Sequence, residues 1–354
     1  MTTAHKPVRI GIRGAAGLLG SRLAAAIART TDLHATVGIC RNDPTLERMI
    51  SRMQFGGPLS HQALPEKIYL EDENSVIAAL NAKAGCARFF PARELDLATS
   101  CDVVIDAATS STGPERTGIF QGFTGPILLQ DGAYPTGRLI APPLLAAAQG
   151  GNRYRQGGCF LSGVVPVLAA FQETLARARL HLVMQYDGRE TDFMITERMN
   201  TFRVADQYRP RMQEELAALL PNAHCEVVSV IQIPGMLHYA VTLEMECRGS
   251  LSTQNAVERL QHIPRVRFMP RSVEGTYELN LARVIDERIP PIAVLGSTVE
   301  VVASGNATNI RVVLALYYRT LAVLPNLDAI RILVQGMDPI AAMQQTDRDM
   351  GFSE

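Results

Sequence analysis

The sequence predicts an α/β protein in which a doubly wound parallel sheet is followed by an α+β domain with a mixed or antiparallel sheet. Three observations lead to this prediction. Short apolar runs alternate with helical runs through residues 1–155. A glycine-rich turn at residues 14–20 joins the first apolar run to the first helical run. After residue 156 the strand-like runs alternate in polarity or run apolar, as in a mixed or antiparallel sheet.

The first domain is predicted over residues 1–155. It begins with a β-branched strand at residues 8–12 and the helical run SRLAAAIART at 21–30. Short apolar runs bounded by polar residues are typical of buried parallel strands. Further strands are predicted at residues 35–40, 67–70, 101–107 and 126–129, with a helix at 75–82 and an irregular or helical excursion at 45–60. This alternation favours a doubly wound sheet.

The second domain is predicted over residues 156–320. Apolar residues at helical spacing predict a helix at 164–177, and residues 252–262 predict an amphipathic helix. Strands are predicted at residues 180–186, 226–233, 239–247, 298–303 and 309–318, the last two as a hairpin. Residues 321–354, with a helix at 326–335, are predicted to return to the first domain.

The composition restricts the class of protein. The chain has 354 residues, of which 47% are hydrophobic and 19% charged, so it can bury a sizeable core. Its formal net charge of −1 does not indicate a nucleic-acid or membrane partner. Its six cysteines form no CxxC pair, so neither a metal site nor a disulfide framework is expected. The start of the chain lacks a signal-peptide pattern and no apolar run reaches membrane-spanning length, so we expect a cytoplasmic protein.

The turn at residues 14–20, GAAGLLG, has the context of a dinucleotide phosphate site, because it follows a strand and precedes a helix. Gly14 and Gly17 allow a tight turn and a close approach of the backbone to a pyrophosphate. The helix N-terminus then offers N–H donors to the anion. We therefore expect NADP or NAD to bind here. A tight turn without a ligand is the alternative.

Polar residues after later strands extend this predicted cofactor site. Arg41 follows the second strand and would pair with the 2′-phosphate of NADP, although Asp43 nearby would restore a preference for NAD. Thr109 and Ser110 end the strand expected to pass under the nicotinamide, so their hydroxyls would face the cofactor. Gly132 belongs to the turn QDG after the next strand. Ordinary solvent-exposed turn polarity is the alternative for each of them.

Cys159 differs from the other cysteines because glycines precede it and an apolar helical run follows it, in GGCFLSG. The N–H groups and the dipole at a helix N-terminus favour the thiolate, which is the nucleophilic form. Such a thiolate would add to a carbonyl carbon and pass through a thioester. Four cysteines lie in strand-like runs and are expected to be small buried hydrophobic residues: Cys40, Cys101, Cys225 and Cys247.

These features, together with the stretch LPNLDAIR at residues 324–331, resemble the archaeal-type (type II) glyceraldehyde-3-phosphate dehydrogenases. The run CDVVID at 101–106 and the QDG turn also match in order and spacing. Wider features are shared with N-acetylglutamyl-phosphate reductase and aspartate-semialdehyde dehydrogenase. The resemblance implies a Rossmann domain, a mixed-sheet catalytic domain, a nicotinamide cofactor and a homotetramer. It places Cys159 on the nucleophile, Leu18 and Leu19 on the cofactor turn, and Gly132 on a glycine that contacts the cofactor.

The chain departs from this family where the substrate would bind. Phe160-Leu161-Ser162 replaces an Asn-Thr-Thr that would help to hold an anion, which leaves Ser162 as a candidate contact. The family's His-His-Gly segment, which supplies a base, is missing, and Arg203 lies in the matching region. Tyr318 stands where the family has a glutamine. His238 is the best remaining candidate for a base, with a purely structural histidine as the alternative.

The sequence leaves three functional hypotheses open. The first is NAD(P)-dependent oxidation of an aldehyde, or reduction of an activated acyl group, through a cysteine thioester in an altered substrate pocket. The second is a true phosphorylating glyceraldehyde-3-phosphate dehydrogenase. The third is a cofactor-binding paralogue without hydride transfer, acting as a scaffold, a regulator or a catalyst of non-redox cysteine chemistry. The arginines within residues 198–211 would favour an anionic substrate, unless they form a solvated basic loop.

Overall fold

The computed structural model describes residues 6–41, 46, 50, 64–71, 76–84, 88–108, 118–130, 137–147, 151–186, 202–234, 238–269 and 289–352. The chain divides into two compact units. The first unit contains Met1–Ile140, Ala148–Gln156 and Asn326–Asp338. The second unit contains Ala141–Ala147, Gly157–Pro325 and Pro339–Glu354. The C-terminal segment is therefore divided, with one part in each unit.

The first unit is built on a parallel sheet. Its described strands are β1 (Val8–Arg13), β2 (Leu33–Cys40), β3 (Lys67–Leu70), β4 (Phe89–Pro91), β5 (Val103–Asp106), β6 (Ile127–Leu129), β7 (Arg138–Ala141) and, after the two-residue β8 (Leu144–Leu145) of the second unit, β9 (Arg153–Gln156). Within the unit they lie in the order β4-β3-β2-β1-β5-β6-β9-β7, and the neighbours pair in parallel. The strand order reverses between β1 and β5, and such a switch point is where doubly wound sheets bind ligands.

Most strands of the first sheet form because their residues are apolar and buried, whereas β9 is polar and half-buried except at Gln156. All four residues of β5 are buried, which is typical of parallel strands covered on both faces. The described helices of this part of the chain are α1 (Leu18–Ile27), α2 (Ile77–Ala84) and α3 (Leu97–Ser100). Asp96 caps α3 by accepting a hydrogen bond from the Ala98 N–H.

The second unit is built on a mixed sheet. Its described strands include β10 (Leu175–Tyr186), β11 (Arg203–Val204), β12 (His224–Pro234), β13 (His238–Arg248), β14 (Val266–Met269), β15 (Ile292–Leu295), β16 (Glu300–Ser304) and β17 (Ala307–Tyr317). Their order is β11-β12-β10-β13-β17-β15-β14, with β16 paired to β17 as a hairpin. β10 is parallel to β12, and β14 to β15, whereas the other described pairs are antiparallel.

Helices accompany the second sheet and form the C-terminus. They are α4 (Cys159–Ala169), α5 (Arg209–Leu219), α6 (Thr253–Gln261), α7 (Tyr318–Leu321), α8 (Leu324–Val334) and α9 (Pro339–Met350). In the first unit, the fully buried Arg331 of α8 pairs with Asp32 over 2.6 Å. In the second unit, Asp347 of α9 pairs with the buried Arg265 over 2.9 Å. Each C-terminal helix is thus attached to its own unit by a largely buried ion pair.

The predicted fold class is confirmed, because the first unit has a parallel sheet and the second a mixed one. The helix predicted at residues 164–177 is wrong at both ends, since α4 spans Cys159–Ala169 and β10 begins at Leu175. The alternation LARARLHL favours a strand there, with apolar residues at every second position. Elements that were not predicted from the sequence include α5, α9, β14 and β15. Within the described residues, no helix combines the length and the apolar character needed to cross a bilayer.

Candidate active site

The glycine turn between β1 and α1 has the shape that a phosphate site needs. Gly14 has a φ of 78°, and a Cβ there would lie 3.0 Å from the backbone of Ala107. A Cβ on Gly20 would overlap the carbonyl oxygen of Gly14, and one on Gly17 would lie 3.2 Å from the same atom. α1 begins after Gly17 without a capping side chain, so no such side chain competes for its first N–H groups. This turn fits the pyrophosphate of a dinucleotide.

Four charged residues gather at the carboxyl ends of β1, β2, β3 and β5. Arg13 ends β1, is 1% exposed, and donates to Glu71, which directly follows β3, over 2.7 Å. Another guanidinium nitrogen of Arg13 lies 3.4 Å from Asp106, the fully buried last residue of β5. Arg41 directly follows β2, is 44% exposed, and lies 3.7 Å from the Glu71 carboxylate. Glu71 therefore positions Arg41 beside the strand end that faces the adenosine ribose in dinucleotide-binding sheets.

Three of the predicted cofactor residues, Thr109, Ser110 and Gly132, lie outside the described residues. The first residue of the QDG turn, Gln130, is described. It follows β6 and is buried. Its Nε2 donates to Asn326 Oδ1 over 2.6 Å, and Asn326 Nδ2 donates to Gln130 Oε1 over 3.2 Å. A buried, reciprocal pair of carboxamides therefore lies at the carboxyl end of β6.

Cys159 is the first residue of α4, and Gly158 before it provides no capping side chain. The helix therefore begins without a side chain that competes for its N–H groups. The partly exposed thiol of Cys159 donates to the hydroxyl oxygen of Tyr239, with 3.4 Å between sulfur and oxygen. When the thiol ionises, the phenol can reverse this bond and donate to the sulfur. Both the helix end and the phenol then favour the thiolate.

The other cysteines that the structure describes are unsuited to nucleophilic chemistry. Cys40, Cys101, Cys225 and Cys247 are all buried. Burial raises the pKa of Cys101 to about 12 and that of Cys225 to about 11, and it also raises the pKa of Cys247. These three thiols are therefore protonated at neutral pH, in agreement with their predicted role as small hydrophobic residues.

Two stacked tyrosines lie next to the Cys159 thiol. Tyr239 on β13 is buried, and its ring stacks on that of Tyr318 with 5.1 Å between centroids and 13° between planes. Leu316 is the cross-strand partner of Tyr239, and α4 packs against it at Gly163, where a Cβ would lie 2.6 Å from Leu316 Cδ1. Helix and tyrosine therefore meet on one face of the sheet. The stacking restricts the Tyr239 ring and thereby positions its hydroxyl at the sulfur.

His238, the predicted base, directly precedes Tyr239 on β13 and is 1% exposed. Successive side chains of a strand point to opposite faces, so His238 points away from the face on which α4 packs. Its ring lies 5.3 Å from that of Tyr317, its partner across the sheet. The base role of His238 stays a prediction, whereas Tyr239 is the residue with a described hydrogen bond to the thiol.

The three predicted substrate residues have different surroundings. Ser162 is buried one turn into α4, where its hydroxyl donates to the Gly157 carbonyl over 3.3 Å. Tyr318 is buried against Tyr239 and so lies one side chain away from the thiol. Arg203 is exposed on the edge strand β11. Of the three, Tyr318 is the one that described side-chain contacts connect to Cys159, by way of Tyr239.

The predicted arginine cluster is partly neutralised by acidic neighbours. Arg209 lies 3.6 Å from Asp206, and Arg211 pairs with Glu215 over 3.0 Å. Arg198 lies outside the described residues. Arg209 and Arg211 lie in α5 rather than in a loop, and the anion-binding role stays a prediction.

Three residues of the site were not predicted from the sequence: Arg13, Glu71 and Tyr239. Arg13 and Glu71 carried a usable signal, because each is a charged residue at the end of a buried strand, where parallel sheets bind ligands. Tyr239 carried no local signal, because 80 positions separate it from Cys159.

No protein-family model and no curated protein sequence matches the chain. Its fold is similar to that of solved aspartate-semialdehyde dehydrogenases. Aspartate semialdehyde dehydrogenase II from Vibrio cholerae, complexed with ASA, has a TM-score of 0.60 at 10% identity, covering 93% of this chain and 99% of its own. The enzyme from Candida albicans, with NADP, has a TM-score of 0.61 at 9% identity, covering 98% and 100%. These identities show the fold alone, and the narrower resemblance to type II glyceraldehyde-3-phosphate dehydrogenases stays a prediction.

Proposed function

We propose that the chain is an NAD(P)-dependent oxidoreductase that binds an aldehyde or an activated acyl group covalently through Cys159. The observation that carries the proposal is the Cys159 thiol at the uncapped N-terminus of α4, 3.4 Å from the Tyr239 hydroxyl. The similarity of the fold to that of aspartate-semialdehyde dehydrogenases supports it. Phe160 and Leu161 are buried apolar residues where glyceraldehyde-3-phosphate dehydrogenases would have hydrogen-bond donors, so we propose an altered substrate pocket.

The first unit would hold the cofactor. The glycine turn at Gly14, Gly17 and Gly20 would receive the pyrophosphate, with the start of α1 donating N–H groups. Arg41, half exposed after β2, would pair with a 2′-phosphate, so we propose NADP rather than NAD. When bound, a nicotinamide supplies hydride transfer to or from the substrate carbon.

Cys159 would act as the nucleophile. Its thiolate adds to the carbonyl carbon of an aldehyde, which forms a carbon–sulfur bond and leaves a negative charge on the former carbonyl oxygen. The N–H groups at the start of α4 would stabilise that charge. After hydride loss the carbon is a thioester, and an acyl acceptor such as phosphate or water then breaks the carbon–sulfur bond and restores the thiolate.

This sequence of steps explains how the chain would work without the histidine pair of the resembled family. Attack by the thiolate leaves the former carbonyl oxygen negatively charged and without a proton. When hydride leaves the carbon, this oxygen reforms the carbonyl and no base has to remove a proton from it. The requirement for a base is therefore replaced by a requirement that Cys159 is ionised beforehand. Tyr239 would meet this requirement because its hydroxyl would donate a hydrogen bond to the sulfur of the thiolate.

The substrate would be a small aldehyde or the corresponding activated acyl group. Aspartate semialdehyde is the first candidate, because the V. cholerae structure with a similar fold is a complex with ASA. Glyceraldehyde 3-phosphate is the second candidate, because its oxidation would favour the resemblance to type II glyceraldehyde-3-phosphate dehydrogenases over the resemblance to aspartate-semialdehyde dehydrogenases.

The test is turnover by the purified protein. Each aldehyde is incubated with NADP⁺ or NAD⁺ and with phosphate, and reduced cofactor is followed by absorbance. Acid-quenched samples are analysed by mass spectrometry for an acyl group on the peptide that contains Cys159. We expect one aldehyde to be oxidised, and Cys159→Ser to lower the rate by at least about 10³-fold.

Cys40→Ser is the matched control, because Cys40 is buried in β2 and has no proposed role. It should retain turnover if it folds, which circular dichroism and thermal melting will establish. Retained turnover in a folded Cys159→Ser variant would contradict the proposal. Turnover restricted to glyceraldehyde 3-phosphate would favour the phosphorylating dehydrogenase instead.

A further inference from the structure

Gln156 is a buried carboxamide whose hydrogen-bonding capacity is unused within the part of the chain that the structure describes. It is the last residue of β9 and is 3% exposed. Neither its Nε2 nor its Oε1 has a hydrogen-bond partner among the described residues. Burying an amide without partners destabilises a protein, and the large majority of buried side-chain polar atoms in folded proteins are paired. A buried amide with both ends unpaired among the described residues is therefore a candidate to bind a ligand.

Gln156 lies where a parallel sheet presents its ligand-binding edge. β9 pairs in parallel with β6 on one side and with β7 on the other, and Gln156 is at its carboxyl end. Ligands of open parallel sheets bind outside the carboxyl ends of the strands. The glycine turn after β1 lies at the same edge of the same sheet. The unused amide is therefore at the edge where the proposed cofactor would bind.

The strand register places Gln156 beside another buried amide. Leu128 pairs with Tyr154 and Leu129 with Arg155, so one further step along both strands sets Gln130 next to Gln156. Residues paired across neighbouring strands project to the same face of a sheet, and the two glutamines therefore lie on the same face. Gln130 is already engaged in its reciprocal pair with Asn326. That pair helps to explain why Gln130 does not satisfy its neighbour.

The chemistry of an unused carboxamide restricts its ligand. An anion such as phosphate or carboxylate would satisfy Nε2 but would leave Oε1 unpaired and would repel it. A group that both donates and accepts side by side satisfies the two atoms at once, as Gln130 and Asn326 do for each other. A primary carboxamide is such a group, and the nicotinamide ring carries one.

The position along the sheet selects the nicotinamide rather than the adenine. The strand order is β2-β1-β5-β6-β9, so β9 lies on the opposite side of the switch point from β2, Arg41 and the proposed adenosine end. A dinucleotide crosses the switch point and extends to both sides of it. We propose that Gln156 recognises the carboxamide of the nicotinamide ring, donating from Nε2 to its oxygen and accepting from its amino group at Oε1. This inference rests on the proposed function, because it requires that a nicotinamide cofactor binds.

The experiment measures ligand affinity and stability in the full chain. Gln156→Leu keeps the approximate size of the side chain and removes the amide. The parent and the variant are titrated calorimetrically with three ligands: NADP⁺, its 3-acetylpyridine analogue, and 2′-phospho-ADP-ribose, which lacks the pyridine. The analogue replaces the carboxamide by a methyl ketone and so loses the donor for Oε1. NAD⁺ and its corresponding derivatives replace them if the parent prefers NAD⁺.

We expect the parent to bind NADP⁺ about ten-fold more tightly than the acetylpyridine analogue, and Gln156→Leu to bind both about equally and at least ten-fold more weakly than the parent binds NADP⁺. Affinity for 2′-phospho-ADP-ribose should not change. Unchanged NADP⁺ affinity in the variant would overturn the inference, as would an equal loss for all three ligands. A parent that binds none of the ligands would instead contradict the proposed function, so the two failures are distinguishable.

Thermal melting without ligand gives a second readout that does not depend on cofactor. Removing an unpaired amide relieves a cost, so Gln156→Leu should melt at or above the temperature of the parent. Gln130→Leu is the matched control, because the same substitution there leaves Asn326 without its partner and should lower the melting temperature. Strong destabilisation by Gln156→Leu would show that the amide has a structural role, and would overturn the inference.

Discussion

The contact between Tyr239 and Cys159 makes a quantitative prediction for the reactivity of the thiol. Tyr239→Phe removes one hydroxyl, 3.4 Å from the sulfur, and keeps the ring that stacks on Tyr318. A hydrogen bond to a charged group contributes about 1.5–3 kcal/mol, against about 0.5–1.5 kcal/mol between neutral groups. The thiolate therefore loses about 1.4 kcal/mol more than the thiol does, which corresponds to about a ten-fold smaller thiolate fraction.

The assay is alkylation by iodoacetamide, with the modified cysteine identified by peptide mass mapping. At pH values below the pKa of Cys159, Tyr239→Phe should slow alkylation of Cys159 about ten-fold, because the thiolate fraction sets the rate there. At alkaline pH the rates of variant and parent should converge, because both are then ionised. Tyr317→Phe is the control, since Tyr317 faces His238 on the opposite side of the sheet. Equal rates for Tyr239→Phe and the parent at every pH would refute the reasoning.

Three further predictions concern the first unit. Gly20→Ala places a Cβ against the Gly14 carbonyl, so it should lower the free energy of unfolding by about 1–3 kcal/mol and abolish dinucleotide binding. Intact dinucleotide binding, measured by calorimetry, would contradict the proposed pyrophosphate site. Arg41→Ala should weaken NADP⁺ binding about ten-fold or more and leave NAD⁺ binding unchanged, and an equal effect on both would exclude a 2′-phosphate contact. Burial raises the pKa of Asp32, but hydrogen bonds from Arg331 and Gln335 outweigh it and hold that pKa below 3.8. The stabilisation that the Asp32–Arg331 ion pair gives to the folded state is therefore complete above pH 3.8, and it is lost as the pH falls through the lower pKa of the folded state. Asp32→Asn should therefore cost about 2 kcal/mol at pH 7 in urea unfolding and much less at pH 2, whereas a pH-independent cost would contradict the ion pair.

Much of the fold was predictable because its signals are local. The strand at the start of the chain, the glycine turn and the following helix are contiguous, and the hairpin of β16 and β17 is joined by a short turn. The helix after Cys159 was predicted too long, because its apolar spacing runs into a strand whose period differs. The short strands β14 and β15 have four residues each, which is too few for a period to be recognised.

The candidate site was predictable only in part, for the same physical reason. A thiol between glycines and a helix is visible in seven residues of sequence. The hydroxyl that meets it comes from β13, and register across an eight-stranded sheet decides that Tyr239 rather than His238 faces α4. A change of register by one residue would exchange the two side chains.

The amino-acid sequence by itself determined the class of fold, the glycine turn and the placement of Cys159 at a helix start, because each depends on residues close together in the chain. Only the tertiary structure decided which side chains share a face or a strand end, namely Tyr239 with Cys159, Arg13 with Glu71, and Gln156 with Gln130. Those arrangements depend on strand order and register, which are set by packing across the whole sheet and leave no pattern in any single segment.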